Sequence, residues 1–211
     1  MSKYRKQFSR ILVFLIMFSM VLLNGEPILA SSNNDPLVQL QKSIDEILVI
    51  LQSEELKTSE KKDERKKLIL DVVNRMFDFR AMARSSLGQN WNGLTAEEQD
   101  KFVGLFASLI EQRYIGKIDA YNSQEVIYKD QLIRKNKARV YTAIIDKDLE
   151  IPIDYSLQKS QGKWLIRDLK IEKVSLIANY RRDFNSIMRK EQFAGLVEKI
   201  TEQLDKSEMQ N

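Results

Sequence analysis

The chain of 211 residues contains no cysteine and no histidine. Without cysteine there is no disulfide framework, no thiol nucleophile and no residue to take a lipid anchor, so burial alone must hold the fold. Without histidine, Ser-His-Asp triads, imidazole acid–base catalysis and His-based zinc sites are all excluded. A glycosidase-type hydrolase would need two carboxyl groups converging in a cleft, and the acids here fall mostly on what read as solvated helix faces. The composition therefore points away from an enzyme. No internal repeat or low-complexity segment is present either.

Charge of one sign is also scarce once the leader is set aside. Lys3, Arg5, Lys6 and Arg10 precede an uncharged apolar run of 13 residues, Ile11 to Leu23, and Pro27-Ile28-Leu29-Ala30 offers a small residue at a cleavage point. As a helix that run would span only about 20 Å, against a hydrocarbon core of about 30 Å. Residues 1–30 are accordingly expected to be a signal peptide, and residues 31–211 a single exported domain. The whole chain has 34 Lys+Arg against 30 Asp+Glu, and removing the leader leaves 30 against 29, a net charge of +1. The basic balance belongs mostly to the leader, and no nucleic-acid partner is expected.

What is present is a change of period along the chain. Asp35-Pro36 opens a helix whose apolar groups Leu37, Leu40, Ile44, Ile47, Leu48 and Leu51 recur at helical spacing up to about Leu56. The mixed-charge run Thr58 to Lys67 reads as a turn and the exposed start of a second helix, continued by Leu68, Val72, Val73 and Met76. Asp78 is placed to cap a short helix, Gly88 to end it, and Thr95 with Glu98 forms a capping box before Phe102, Leu105, Phe106, Leu109 and Ile110. Strands then follow: Val126 to Asp130, Ala138 to Ile145, and Leu149 to Gln158, where Ile151, Ile153 and Tyr155 alternate with polar neighbours. Pro152 suggests an edge or a bulge in the third strand. Ser160-Gln161-Gly162 turns the chain into a fourth strand, with Leu165, Leu169 and Ile171 on one face and Trp164 and Ile166 on the other. A helix opened by Ser175 carries Leu176, Ile177, Tyr180 and Phe184, and a last stripe runs from Phe193 to Leu204. The layout is α+β: N-terminal helices, an antiparallel meander of about four strands, then C-terminal helices packed on one sheet face around an apolar cavity.

Two blocks, FDFRAMARSSLGQNWNGLTAEEQDKFVGLFASLIEQRY (Phe77 to Tyr114) and GKWLIRDLKIEKVSLIANYRRDF (Gly162 to Phe184), resemble the MlaC family, auxiliary components of toluene-tolerance type ABC systems. Two departures stand out: the hairpin reads Gln161-Gly162-Lys163-Trp164, and Lys173 replaces a glycine before Val174-Ser175. The resemblance implies a shuttle carrying phospholipid as cargo, with no cofactor. Its implied partners are an outer-membrane lipoprotein–porin complex and an inner-membrane ABC transporter with its substrate-binding ring. The acyl tails would lie between sheet and helices. Walls of suitable character are Val140, Ile144, Ile151, Ile153, Tyr155 and Trp164 on the strands, and Phe79, Met82, Phe102, Phe106, Leu176 and Tyr180 on the helices. Another lipid or hydrophobic molecule, or an assembly factor with fully packed apolar faces, are the alternatives. Arg80, Arg84, Arg181 and Arg182 are candidates to touch a head-group phosphate.

Overall fold

A hairpin meander fixes the frame, because each pair of strands is joined by a turn too short for anything but antiparallel return. In the computed structural model, which describes residues 34–208 apart from 120, 122, 123 and 148, these strands are β1 (Glu125–Arg134), β2 (Lys137–Asp146), β3 (Leu149–Ser160), β4 (Lys163–Ile171) and the short β5 (Val174–Ser175). They pair in the order β1-β2-β3-β4-β5, all antiparallel. The expected signal peptide lies outside the described residues. The helices are α1 (Pro36–Gln52), α2 (Lys62–Met76), α3 (Phe79–Leu87), α4 (Ala96–Asp119) and α5 (Leu176–Glu208). The α+β class and the helix–sheet–helix order expected from the sequence hold.

Capping signals explain the helix starts. Asp35 accepts from the Leu37 and Val38 amides at 2.9 and 3.0 Å, and Asp78 accepts from Ala81 N–H at 3.0 Å. The Thr95–Glu98 capping box is formed in both directions.

The sheet corrects two readings of the sequence. Trp164, Ile166, Leu169 and Ile171 share one face, because they pair with Lys159, Leu157, Tyr155 and Ile153, which alternate without interruption on β3. The pairing skips Arg167, and that bulge moves Leu169 and Ile171 to the face of Trp164. Strict alternation cannot anticipate an extra residue. Pro152, in turn, lies on an interior strand at no bulge. Its carbonyl accepts from Glu172 N–H at 3.0 Å, in the turn after β4, so the N–H it lacks falls where that ladder stops.

The inward face carries Ala138, Val140, Thr142 and Ile144 on β2 beside Leu157, Tyr155, Ile153 and Ile151 on β3. One end of this face is covered by the N-terminal helices: Leu40, Val72 and Met76 pack with Ala138, Val140, Leu157, Trp164 and Ile166. Helices α1 and α2 thus cover this end of the sheet. Helix α1 is fixed at both flanks. Gln131 of β1 grips the Asp35 cap at 2.7 Å, and the Gln39 side-chain amide pairs with both backbone groups of Trp164, at 2.6 and 3.0 Å. Gln39 in effect finishes the open edge of β4, and farther along Asp78 N–H donates to the Ile166 carbonyl at 2.9 Å.

Helix α5 is broken at Gln192, where φ is 59° and ψ is −164°. Tyr180 and Phe184 meet Phe106 and Phe102 respectively, whereas beyond the break Phe193 meets Phe102 and the Leu204 carbonyl accepts from Gln112. Residues 176–191 therefore run antiparallel to α4 and residues 193–208 parallel to it, a helical hairpin turned on a single residue. Gly195 sits inside this turn: a Cβ there would lie 2.3 Å from the Glu191 Cβ.

Candidate functional site

The candidate lipid-contacting residues separate into two groups. Met82, Phe102, Phe106, Leu176 and Tyr180 belong to one buried cluster built by α3, α4 and α5, with Phe79 packed against it. Its aromatic rings interlock: Phe102 meets Phe184 edge-on at 5.6 Å, and Phe106 meets Tyr180 edge-on at 5.5 Å. Val140 and Trp164 lie in the cluster under α1 and α2, with Tyr155 packed against it. Phe77 and Leu169, which sequence reasoning did not select, touch both clusters and join them.

The remaining three, Ile144, Ile151 and Ile153, form a ladder corner of their own: Ile144 pairs with Ile151, and Thr142 with Ile153. Ile144 and Ile151 are half-buried and Ile153 is buried. None of the three belongs to any of the core clusters of the described residues. Just beyond them, Leu149 is exposed. The inward sheet face thus changes along its length, from closed under α1 and α2 to residues outside the core clusters at the Ile144–Ile151 end.

The polar groups near this face are arranged to disappear from it. Thr142, which is buried, donates its hydroxyl to the Ile153 carbonyl at 3.1 Å. Burial pushes the Tyr155 phenol up to about 12, so it stays un-ionised under any physiological condition. Where β4 ends, Asp168 anchors the next helix. Its carboxylate accepts from Ser175 Oγ at 2.7 Å and from Ile177 N–H at 3.1 Å, while Ser175 Oγ caps Ala178 N–H at 3.0 Å. Since β5 pairs with Lys170 and Ile171, the first turn of α5 is held beside that end of the sheet. The β4–β5 turn places Glu172 and Lys173 both at positive φ, 49° and 69°. These are the hairpin conformations that glycine adopts most easily, so replacement of glycine by Lys173 keeps the bend at a conformational cost.

Among the described residues, a groove of about 600 Å³ lies between α2 and α4, lined in part by Lys62, Lys66, Glu111, Gln112, Asp119 and Leu204. Its lining mixes these charged groups with Leu70, Ile115 and Leu204, and burial raises the Glu111 carboxyl above its ordinary value. Of the four arginines considered for a phosphate, Arg80 is engaged with Asp100 at 2.5 Å, Arg181 donates to the Ser85 carbonyl at 2.7 Å, and Arg182 pairs with Asp183 at 3.4 Å. Arg84 is exposed on α3. The described residues hold no cluster of acidic groups that could take a metal ion, and none of their helices is long and apolar enough to cross a membrane.

Fold and site together define an α+β protein in which helices cover the apolar face of an antiparallel sheet, with Ile144, Ile151 and Ile153 outside the core clusters of the described residues. Residues 41–202 match the family described as MlaC protein, and the chain belongs to that family. It is 20% identical over 177 residues to the intermembrane phospholipid transport system binding protein MlaC of Haemophilus influenzae, covering 81% of this chain and 83% of that protein. A similar solved structure is the phospholipid-binding protein of Ralstonia solanacearum in complex with a phospholipid, with a TM-score of 0.73 and 22% identity. The match covers 82% of this chain and 98% of that one.

Proposed function

We propose that this protein is a periplasmic phospholipid carrier of an intermembrane transport system, moving lipid between an outer-membrane lipoprotein–porin complex and an inner-membrane ABC transporter. Residues 1–30 act as its signal peptide and residues 31–211 as one lipid-binding domain. The observation that carries this reading is the inward-facing Ile144, Ile151 and Ile153, an apolar surface outside every core cluster of the described residues. Family membership and the names of the two relatives support it.

The energetics explain why such a surface suits a carrier. Two acyl chains hold about 30 methylenes, whose exposure to water costs on the order of 24 kcal/mol. A carrier must enclose most of that surface, so it needs apolar walls that do not already fill each other. Ile144, Ile151 and Ile153 form the sheet-side wall, extended by Tyr155 on the same face of β3, and on the helical side Phe79 is half-buried; Val140, Trp164, Met82, Phe102, Phe106, Leu176 and Tyr180 are already packed in the core clusters. Carriage breaks no covalent bond, which agrees with a chain lacking histidine and cysteine.

Native mass spectrometry of protein purified from the periplasm tests the reading. Co-purifying phospholipid is expected. A bare-chain mass combined with no uptake from phospholipid vesicles would favour an assembly factor whose apolar faces serve only packing.

A further inference from the structure

Two hairpin turns at one end of the sheet stand side by side. Lys137 of β2 pairs with Gln158 of β3, and Lys159 N–H donates to the Asn136 carbonyl at 2.8 Å, so the β1–β2 and β3–β4 turns form a single tip. Residues 131–141 and 155–166 bring six cations to it, Arg134, Lys135, Lys137, Arg139, Lys159 and Lys163, and not one carboxylate. Five are exposed; Lys159 is half-buried, 5.9 Å from the centroid of the Trp164 ring. Among the described residues none of the six enters an ion pair with a carboxylate. The acids bordering the tip, Asp35 and Asp130, both accept from Gln131 at 2.7 Å. Residues 31–211 hold 30 Lys+Arg against 29 Asp+Glu, so setting these six aside leaves 24 against 29, a net −5 for the remainder. A chain polarised in this way turns tip-first towards a negative surface.

Apolar groups at the tip narrow the choice of surface. Leu132 and Ile133 directly precede the cations on β1 and are 47% and 46% exposed. Leu132 lies opposite Arg139 on the outer face and Ile133 opposite Ala138 on the inner face, so the edge strand is apolar on both sides at the tip. Edge strands carry cations against unwanted pairing, yet Arg139, Lys159 and Lys163 lie on β2, β3 and β4, away from that edge. A nucleic acid or an acidic peptide would engage the cations and leave two large aliphatic side chains in water. An anionic bilayer engages both kinds of group: its phosphates meet the cations, and its interfacial region receives Leu132 and Ile133.

We infer that the tip formed by the β1–β2 and β3–β4 turns docks on anionic phospholipid bilayers, its six cations on the lipid phosphates and Leu132 and Ile133 in the interface. This goes beyond carriage, because it gives the protein a membrane contact of its own. The Ile144–Ile151 corner lies at the opposite end of the sheet, beside the β2–β3 turn, so docking leaves it uncovered.

The test floats the protein of residues 31–211 with vesicles of dioleoylphosphatidylcholine, with and without one-third dioleoylphosphatidylglycerol, in low and in high salt. Retention on the anionic vesicles is expected at low salt, lost at high salt and absent from the neutral vesicles. Arg134→Gln combined with Lys135→Gln should weaken it about 25-fold, about fivefold for each cation removed, and Leu132→Ser about fivefold. Arg189→Gln combined with Lys190→Gln removes the same charge from the exposed side of α5 and should leave retention nearly unchanged. All of these side chains are exposed, so the variants should melt with the native protein. Equal weakening by the two charge pairs overturns the docking site, as does no retention on anionic vesicles or equal retention on neutral ones. Vesicle retention unmoved by Leu132→Ser overturns the bilayer assignment and, with equally tight binding of polyglutamate, gives the tip to an acidic protein partner. Phospholipid co-purifying in the native mass spectrum is independent of these outcomes, so the carrier reading stands or falls separately.

Discussion

Two apolar regions of this molecule are made of similar residues and end differently. In the cluster of α3, α4 and α5, Phe102, Phe106 and Phe184 are almost wholly buried and meet one another at ring distances of 5.6–6.2 Å. At the far end of the sheet, Ile144, Ile151 and Ile153 are inward-facing but join no core cluster of the described residues. The first region closes upon itself because its rings approach from several helices and interlock. The second is a ladder of branched aliphatic groups on one sheet face, buried at Ile153 and half-buried at Ile144 and Ile151, outside those clusters. The interlocked rings belong to the closed core, and the ladder is the surface proposed to receive cargo.

The largest separation of the two should come from truncation. Phe102→Ala is expected to destabilise the protein by about 3–5 kcal/mol in urea unfolding, because the surrounding helices cannot collapse into the space. Ile151→Ala should cost clearly less, and a similar loss at both sites would erase the distinction.

Alkaline pH gives the next effect. Tyr155 by the sheet and Tyr180 in the helical cluster both have folded-state values raised to about 12, chiefly by burial, from an ordinary 10. A phenol whose value is raised on folding contributes stability that is complete below pH 10 and lost as pH rises towards 12. Unfolding free energy should fall over that window by up to about 2 kcal/mol per phenol. Tyr155→Phe and Tyr180→Phe should each flatten the profile.

Polarity on the Ile144–Ile151 ladder should act on cargo more than on folding. Ile151→Asp is expected to reduce phospholipid uptake from vesicles about tenfold, an effect of about 1.4 kcal/mol, while retaining most of the native stability. Equal loss of both would place Ile151 in the closed core.

The turns supply the smallest effects. Gln192 adopts a backbone conformation almost confined to glycine, so Gln192→Gly should raise stability by about 1 kcal/mol by relieving strain on the hairpin that covers the aromatic cluster. Lys173→Gly, at the sheet's end, should add about 0.5 kcal/mol. Neither should change lipid uptake.

The capping residues Asp35, Asp78, Thr95 and Ser175 were legible in the sequence because a cap is a local device: the side chain bonds an amide two or three residues away. The alternation of β3 was legible for the same reason. The face of Leu169 was not, since the Arg167 bulge depends on where β3 and β4 fall into register, and that is decided by pairs far apart in sequence. Nor was the role of Gln39, a polar residue on a helix whose partner, Trp164, lies 125 positions away. The candidate residues were recognisable as inward and apolar. Which of them would join the core clusters and which would lie outside them depends on approach angles between helices that no periodicity encodes.

The most direct measurement uses a phospholipid carrying a photoreactive group near the end of an acyl chain, loaded into the protein and activated by light. Cross-links are expected on the inward residues of β2 and β3, with Ile144, Ile151 and Ile153 foremost. Labelling confined to exposed apolar residues such as Val49 and Leu132, with the inward ladder unmarked, would contradict the account.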